Sequence, residues 1–110
     1  MEFTLEELIE VNKRFNGTLV SDSSIDFALS YCKNTKSKYR CASMLIRAIV
    51  VDYPFTDANK RTALYVIGKA VGVNDQEKMA NAVIRIAKES IIDLDKIIEV
   101  IKNANRWKGL

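Results

Sequence analysis

The stretch Val51-Asp52-Tyr53-Pro54-Phe55-Thr56-Asp57-Ala58-Asn59-Lys60-Arg61-Thr62-Ala63-Leu64 holds the chain's only proline, an acid, an amide and two adjacent cations, and runs into an apolar helical pattern. Pro54 sets its own φ and biases Tyr53 away from the α region, so a helix arriving through Ile49, Val50 and Val51 stops near Asp52. Asp57 is a good N-cap for a new helix starting at Ala58 or Asn59, and the small Ala58 lets backbone approach closely. The first-turn N–H groups of that helix lack intrahelical acceptors and carry the positive end of its dipole, which favours an anion. Lys60 and Arg61 add two full charges at the same place, and the planar guanidinium matches phosphate oxygens. Asp57 supplies the single carboxylate that suits magnesium when a nucleotide provides the other ligands. Two readings follow: a phosphate or nucleotide site, or a capped helix with a solvated Lys-Arg pair.

Phe55, Asp57, Ala58, Asn59, Lys60 and Arg61 resemble the signature of the Fic/Doc family, His-x-Phe-x-(Asp/Glu)-(Gly/Ala)-Asn-(Gly/Lys)-Arg. Asp57 to Leu64 looks like the Doc (death-on-curing toxin) branch in particular. Position 64 is leucine, where longer AMP-transferring Fic proteins carry a second arginine. Weaker similarity reaches the opening helix at Leu5-Glu6-Glu7-Leu8-Ile9 and a closing helix after Ser90. The resemblance implies a nucleotide-dependent transferase that moves phosphate, or AMP, from ATP with Mg2+ onto a protein hydroxyl. By position, Phe55 anchors the loop and Asp57 holds the metal. Asn59, Lys60, Arg61 and the backbone around Ala58 bind the phosphates, with Arg61 also neutralising charge in catalysis. In toxin relatives the target is a translation factor and the partner is a small antitoxin.

The family's leading histidine, general base for the target hydroxyl, falls on Tyr53, and the chain has no histidine at all. A phenol with a pKa of about 10 is ionised roughly one part in a thousand at neutral pH, a handicap of about 4 kcal/mol for a base. Asp52 is a conceivable substitute. Tyr53 fits either a natural pseudo-enzyme or an inactivating substitution in a toxic parent; phosphate binding survives in both. Short Fic-type enzymes are often restrained by a (Ser/Thr)-x-x-x-Glu-(Gly/Asn) helix. No glutamate here precedes Gly or Asn, so any such restraint comes from another molecule.

Composition points to one all-α domain: 110 residues, 48% hydrophobic and 28% charged, with one proline and four glycines. The expected architecture is a bundle of about six helices with the motif loop between two central ones. The net charge of +3 does not demand nucleic acid, although Lys33, Lys36, Lys38 and Arg40 form a basic cluster. Cys32 and Cys41, without a second pair or a histidine, do not make a zinc site; they read as reduced core residues of a cytoplasmic protein, with a disulfide between them as the lesser alternative. No apolar run approaches the roughly 20 residues of a membrane span.

In chain order, Thr4 with Glu7 forms a capping box, and Phe3 and Leu8 a hydrophobic staple. Leu5, Leu8 and Ile9 face inward until Asn16-Gly17. Ser23 with Asp26 caps a second helix carrying Ile25, Ala28, Leu29 and Cys32. A third, from about Ser37 to Asp52, is apolar on nearly every side and therefore central. The motif helix runs from Asn59 to about Val71 and closes at Gly72, with Ala63, Leu64, Ile67 and Val71 inward. Asn74 with Glu77 caps a fifth that buries Met79, Ala80, Val83, Ile84 and Ala87. Asp93 opens the last, with Leu94, Ile97, Ile98 and Ile101 inward. Trp107 reads as a lid on the core or a partner anchor.

These readings leave a Doc-like transferase impaired at Tyr53, a catalytically inactive Fic/Doc-fold binding module, and, least favoured, a small nucleic-acid binder built on Lys33 to Arg40.

Overall fold

Four of the chain's helices begin where a side-chain oxygen takes up an otherwise unpaired first-turn amide. Thr4 accepts from Glu7, Ser37 from Arg40, Asp75 from Lys78 and Asp93 from Asp95, all at 3.0–3.1 Å. The computed structural model describes residues 2–106, and its helices are α1 (Leu5–Arg14), α2 (Ser23–Lys33), α3 (Lys38–Val50), α4 (Asn59–Ala70), α5 (Gln76–Lys88) and α6 (Leu94–Ala104). The fold is all-α. Among the described residues, extended pairing is confined to one antiparallel bridge between Leu19 and Phe55, and no helix is long and apolar enough to cross a membrane. Trp107 lies outside the described residues.

Three caps differ from the expected ones. Asp22, not the Ser23–Asp26 pair, precedes α2, and Ser23 is already helical. Asp75 caps α5 in place of Asn74, whose amide instead donates to the Asn105 carbonyl at 2.6 Å and ties the α4–α5 turn to the end of α6. Ala58, not Asp57, occupies the cap position of α4. Neither Asp22 nor Ala58 makes a side-chain cap bond, whereas Asp75 accepts from Lys78 N–H.

Residues 41–46 and 48–50 of α3 are all buried, because α3 packs on α2, α4, α5 and α6 at once. Leu45, Ile46 and Ile49 are fully enclosed, each contributing about 1.5–3 kcal/mol by burial. Met79 is also fully buried as core. Ile84 departs from expectation: it is 46% exposed, because α5 turns its Met79, Val83, Ile86 stripe inward and leaves Ile84 on the outer edge. The cysteines depart as well. The short turn between α2 and α3 brings the Cα atoms of Cys32 and Cys41 to 4.7 Å, and the two form a disulfide instead of standing as reduced residues.

α1 is fastened to α4 through Glu7. Tyr65 donates its hydroxyl to Glu7 Oε2, and Lys69 Nζ donates to the same oxygen at 2.6 Å while its charge lies over the Phe3 ring. Burial works to raise the Glu7 carboxyl, but the hydrogen bonds from Lys69 and Tyr65 outweigh it and hold the group below the usual glutamate range. A depressed carboxylate stabilises the fold above its unfolded value, and that contribution disappears as pH falls through the folded value. Urea unfolding across pH should therefore show stability declining below about pH 4.5, with Glu7→Gln flattening that part of the profile. An unchanged profile in the variant would exclude this linkage.

Candidate functional site

The loop between α3 and α4 is held along both edges. Thr56 N–H donates to the Thr18 carbonyl at 2.8 Å, and Val20 N–H donates to the Pro54 carbonyl at 2.7 Å. On the opposite edge the Asn59 side chain imitates a strand. Its Oδ1 accepts from Phe55 N–H at 3.2 Å and its Nδ2 donates to the Phe55 carbonyl at 3.0 Å. With its backbone satisfied this way, Phe55 drops its ring into the core at 3% exposure. Asn59 thus shapes the site instead of presenting its amide to solvent; it is itself buried.

α1 reaches the same loop from below. Buried Asn12 donates through Nδ2 to the Asp57 carbonyl at 2.8 Å and to Thr62 Oγ1 at 3.0 Å, and Thr62 Oγ1 donates to the Ala58 carbonyl. Gly17 lies against this contact: a Cβ there would sit 2.7 Å from the Asp57 carbonyl oxygen and overlap the Asn12 amide. From the sequence Gly17 reads only as a helix end, and Asn12, Thr18 and Thr62 carry no assigned role. Asn12 is a polar residue on the apolar stripe of α1, the one signal that could have exposed it.

The carbonyls of Pro54, Phe55, Asp57 and Ala58 are therefore all engaged by protein donors. Asp57 Oδ1 accepts from Ala58 N–H at 2.7 Å. Among the described residues, the N–H groups of Asn59, Lys60 and Arg61 meet no protein acceptor. Four loop carbonyls are thus satisfied within the protein while the first-turn amides of α4 are not, an arrangement that favours anions.

These groups border an open groove of about 370 Å³ lined by Tyr53, Thr56, Asp57, Ala58, Asn59, Lys60 and Arg61. Lys60 and Arg61 form no ion pair among the described residues. The Arg61 guanidinium instead lies 5.5 Å from the centroid of the Phe15 ring. Tyr53 and Ala58 both take left-handed backbone, with φ of 51° and 60°. Non-glycine residues there cost about 1–2 kcal/mol each, and such strain gathers at functional sites. The expected stop of α3 near Asp52 is met by a turn at Val51–Asp52. Asp52, the conceivable substitute base, lines a different hollow with Phe27, Met44 and Arg47. The groove contains one carboxylate, Asp57.

As a metal site the donor set is sparse: no group of three or more His, Cys, Asp or Glu could hold an ion among the described residues. Asp57, with Oδ1 engaged, fits an ion whose remaining ligands come from water and phosphate oxygens.

Asn59→Ala leaves the Phe55 N–H and carbonyl buried without partners and should cost about 2–4 kcal/mol in urea unfolding. Gly17→Ala should cost about 1–3 kcal/mol through overpacking. Near-neutral values would rule out the loop clamp described above.

Compared with protein-family models, curated proteins and solved structures, the chain matches none of them.

Proposed function

We propose that this protein binds the polyphosphate of ATP with Mg2+ in the groove between Tyr53 and Arg61, in the manner of a Doc-like transferase acting on a protein hydroxyl. The observation that carries the reading is that the loop carbonyls are taken up by protein donors while the amides of Asn59, Lys60 and Arg61 meet none, and these residues line one groove with Asp57. The residues involved are also those by which the sequence resembles the Fic/Doc family.

In this reading the amides of Asn59, Lys60 and Arg61 receive phosphate oxygens, Lys60 and Arg61 neutralise their charge, and Asp57 Oδ2 holds the metal. Bound Mg2+ supplies charge neutralisation across the phosphates. For phosphate transfer the target hydroxyl oxygen bonds to the γ-phosphorus, the bridging P–O bond breaks, and ADP departs with the electron pair. The hydroxyl proton needs an acceptor. Tyr53 stands where that base is required, and a neutral phenol takes a proton poorly at pH 7. AMP transfer, with attack at the α-phosphorus and loss of diphosphate, meets the same obstacle.

A second reading is a non-enzymatic binding module that keeps the phosphate groove. It is favoured by the position of Asp52 in another hollow, which leaves Asp57, here assigned to the metal, as the one carboxylate lining the groove with Tyr53. A protein target such as a translation factor and a small antitoxin partner belong to the first reading through the resemblance alone, and a cytoplasmic location through the sequence composition.

Saturating ATP with Mg2+ should raise the unfolding midpoint by several degrees, since ligand at 100 times Kd adds about 2.7 kcal/mol. Asp57→Ala should lose the magnesium dependence, and Arg61→Ala most of the shift. Labelled-ATP transfer that appears on Tyr53→His and is absent with Tyr53 identifies a disabled transferase; binding without transfer in both identifies the module. No shift with ATP or ADP in the parent chain sinks both readings.

A further inference from the structure

We propose that the Cys32–Cys41 disulfide is a thiol–disulfide exchange site for small anionic thiols, which attack Cys32 and expel Cys41. The proposal is independent of the nucleotide groove.

Cys32 borders two solvent-open hollows. One, of about 400 Å³, is lined by Glu2, Phe3, Thr4, Leu29 and Lys33, with Cys32 and Thr35 at its edge. The other, of about 290 Å³, is lined by both cysteines with Thr35, Lys36, Ser37 and Lys38. Cys41 borders only the second and is 2% exposed, against 8% for Cys32. A sulfur entering the first hollow meets Cys32 and not Cys41. Access favours attack on Cys32.

The helices favour the same direction. Cys41 lies near the start of α3, at the positive end of its dipole, with Lys36 and Lys38 lining the same hollow. Cys32 lies in the last turn of α2, at the negative end. A departing thiolate is better accommodated at Cys41. The incoming thiolate bonds to Cys32 Sγ, the Cys32–Cys41 bond breaks, and its electron pair leaves on Cys41 Sγ. A second thiolate then attacks the small-thiol sulfur of the mixed disulfide and expels Cys32 as thiolate. Two small thiols are oxidised to one disulfide, and one protein disulfide is reduced to two cysteines.

Lys33, Lys36 and Lys38 are exposed and in no ion pair among the described residues, against one acid, Glu2, lining either hollow. This local field draws anionic thiols. The turn also keeps bonds of its own: Asn34 Nδ2 donates to the Ser30 carbonyl at 3.1 Å, and Ser37 N–H to Thr35 Oγ1 at 3.2 Å. Neither bond involves a sulfur atom.

The test uses the full oxidised chain with mercaptosuccinate, 2-mercaptoethanol or cysteamine at equal thiolate concentration, quenched with iodoacetamide. Trypsin cleaves after Lys33 and Arg40, so the two cysteines fall in different peptides for mass spectrometry. The expected result is a mixed disulfide on Cys32, fastest with mercaptosuccinate. That advantage should fall about threefold or more when salt is raised until the Debye length shrinks to about 3 Å. A mixed disulfide on Cys41, equal rates for the three thiols, exchange only after the chain unfolds, or cysteines that stay free after treatment with an oxidised dithiol would each overturn it.

Discussion

The carboxamide of Asn59, closed onto the backbone of Phe55, is the contact through which the rest of the site is arranged. It replaces a missing strand on one edge of the loop while residues 18–20 supply the other, so the backbone around Phe55 is held without a sheet. Burying Phe55 would otherwise strand its N–H and carbonyl away from water, at a cost comparable to the gain from burying the ring. The same contact ties the first residue of α4 to the loop that precedes it. Helix direction and loop shape thereby become one constraint.

That constraint is supported from two sides. α3 and α4 meet along the bundle's most enclosed helix, which makes the ends of the loop rigid. Asn12 and Thr62 then fix the Asp57 and Ala58 carbonyls from beneath. The left-handed conformations of Tyr53 and Ala58 persist because so many bonds over-determine the loop. The groove is bordered both by the two full positive charges of Lys60 and Arg61 and by the first-turn amides of α4. The features proposed to bind phosphate lie in the loop geometry, whereas the residue at the proposed base position is set by the identity of one side chain, Tyr53.

The Cys32–Cys41 bridge lies at the far end of α3 from the groove, where α2 turns into α3. The central helix is thus bounded by a covalent clasp at its start and by the Tyr53–Arg61 loop after its end. Charge gathers on solvent at both places, in the lysines around the disulfide and in Lys60 and Arg61 at the groove.

Much was settled by local chemistry. Helical periodicity and the scarcity of turn residues determined the all-α class and the number of helices; the unbroken apolar run from Cys41 to Val50 determined that α3 is central; Pro54 determined the turn after it. These are properties of a few neighbouring residues and need no distant partner. Only the tertiary structure decided which neighbour caps α2, α4 and α5, that Ile84 faces solvent, that Cys32 and Cys41 join, and that Asp52 parts company with Tyr53. It also decided that Asn59 faces the loop and that Asn12, 45 residues before Asp57, holds it. Such outcomes depend on contacts between residues far apart in the chain, and periodicity carries no information about which buried polar group will find which partner.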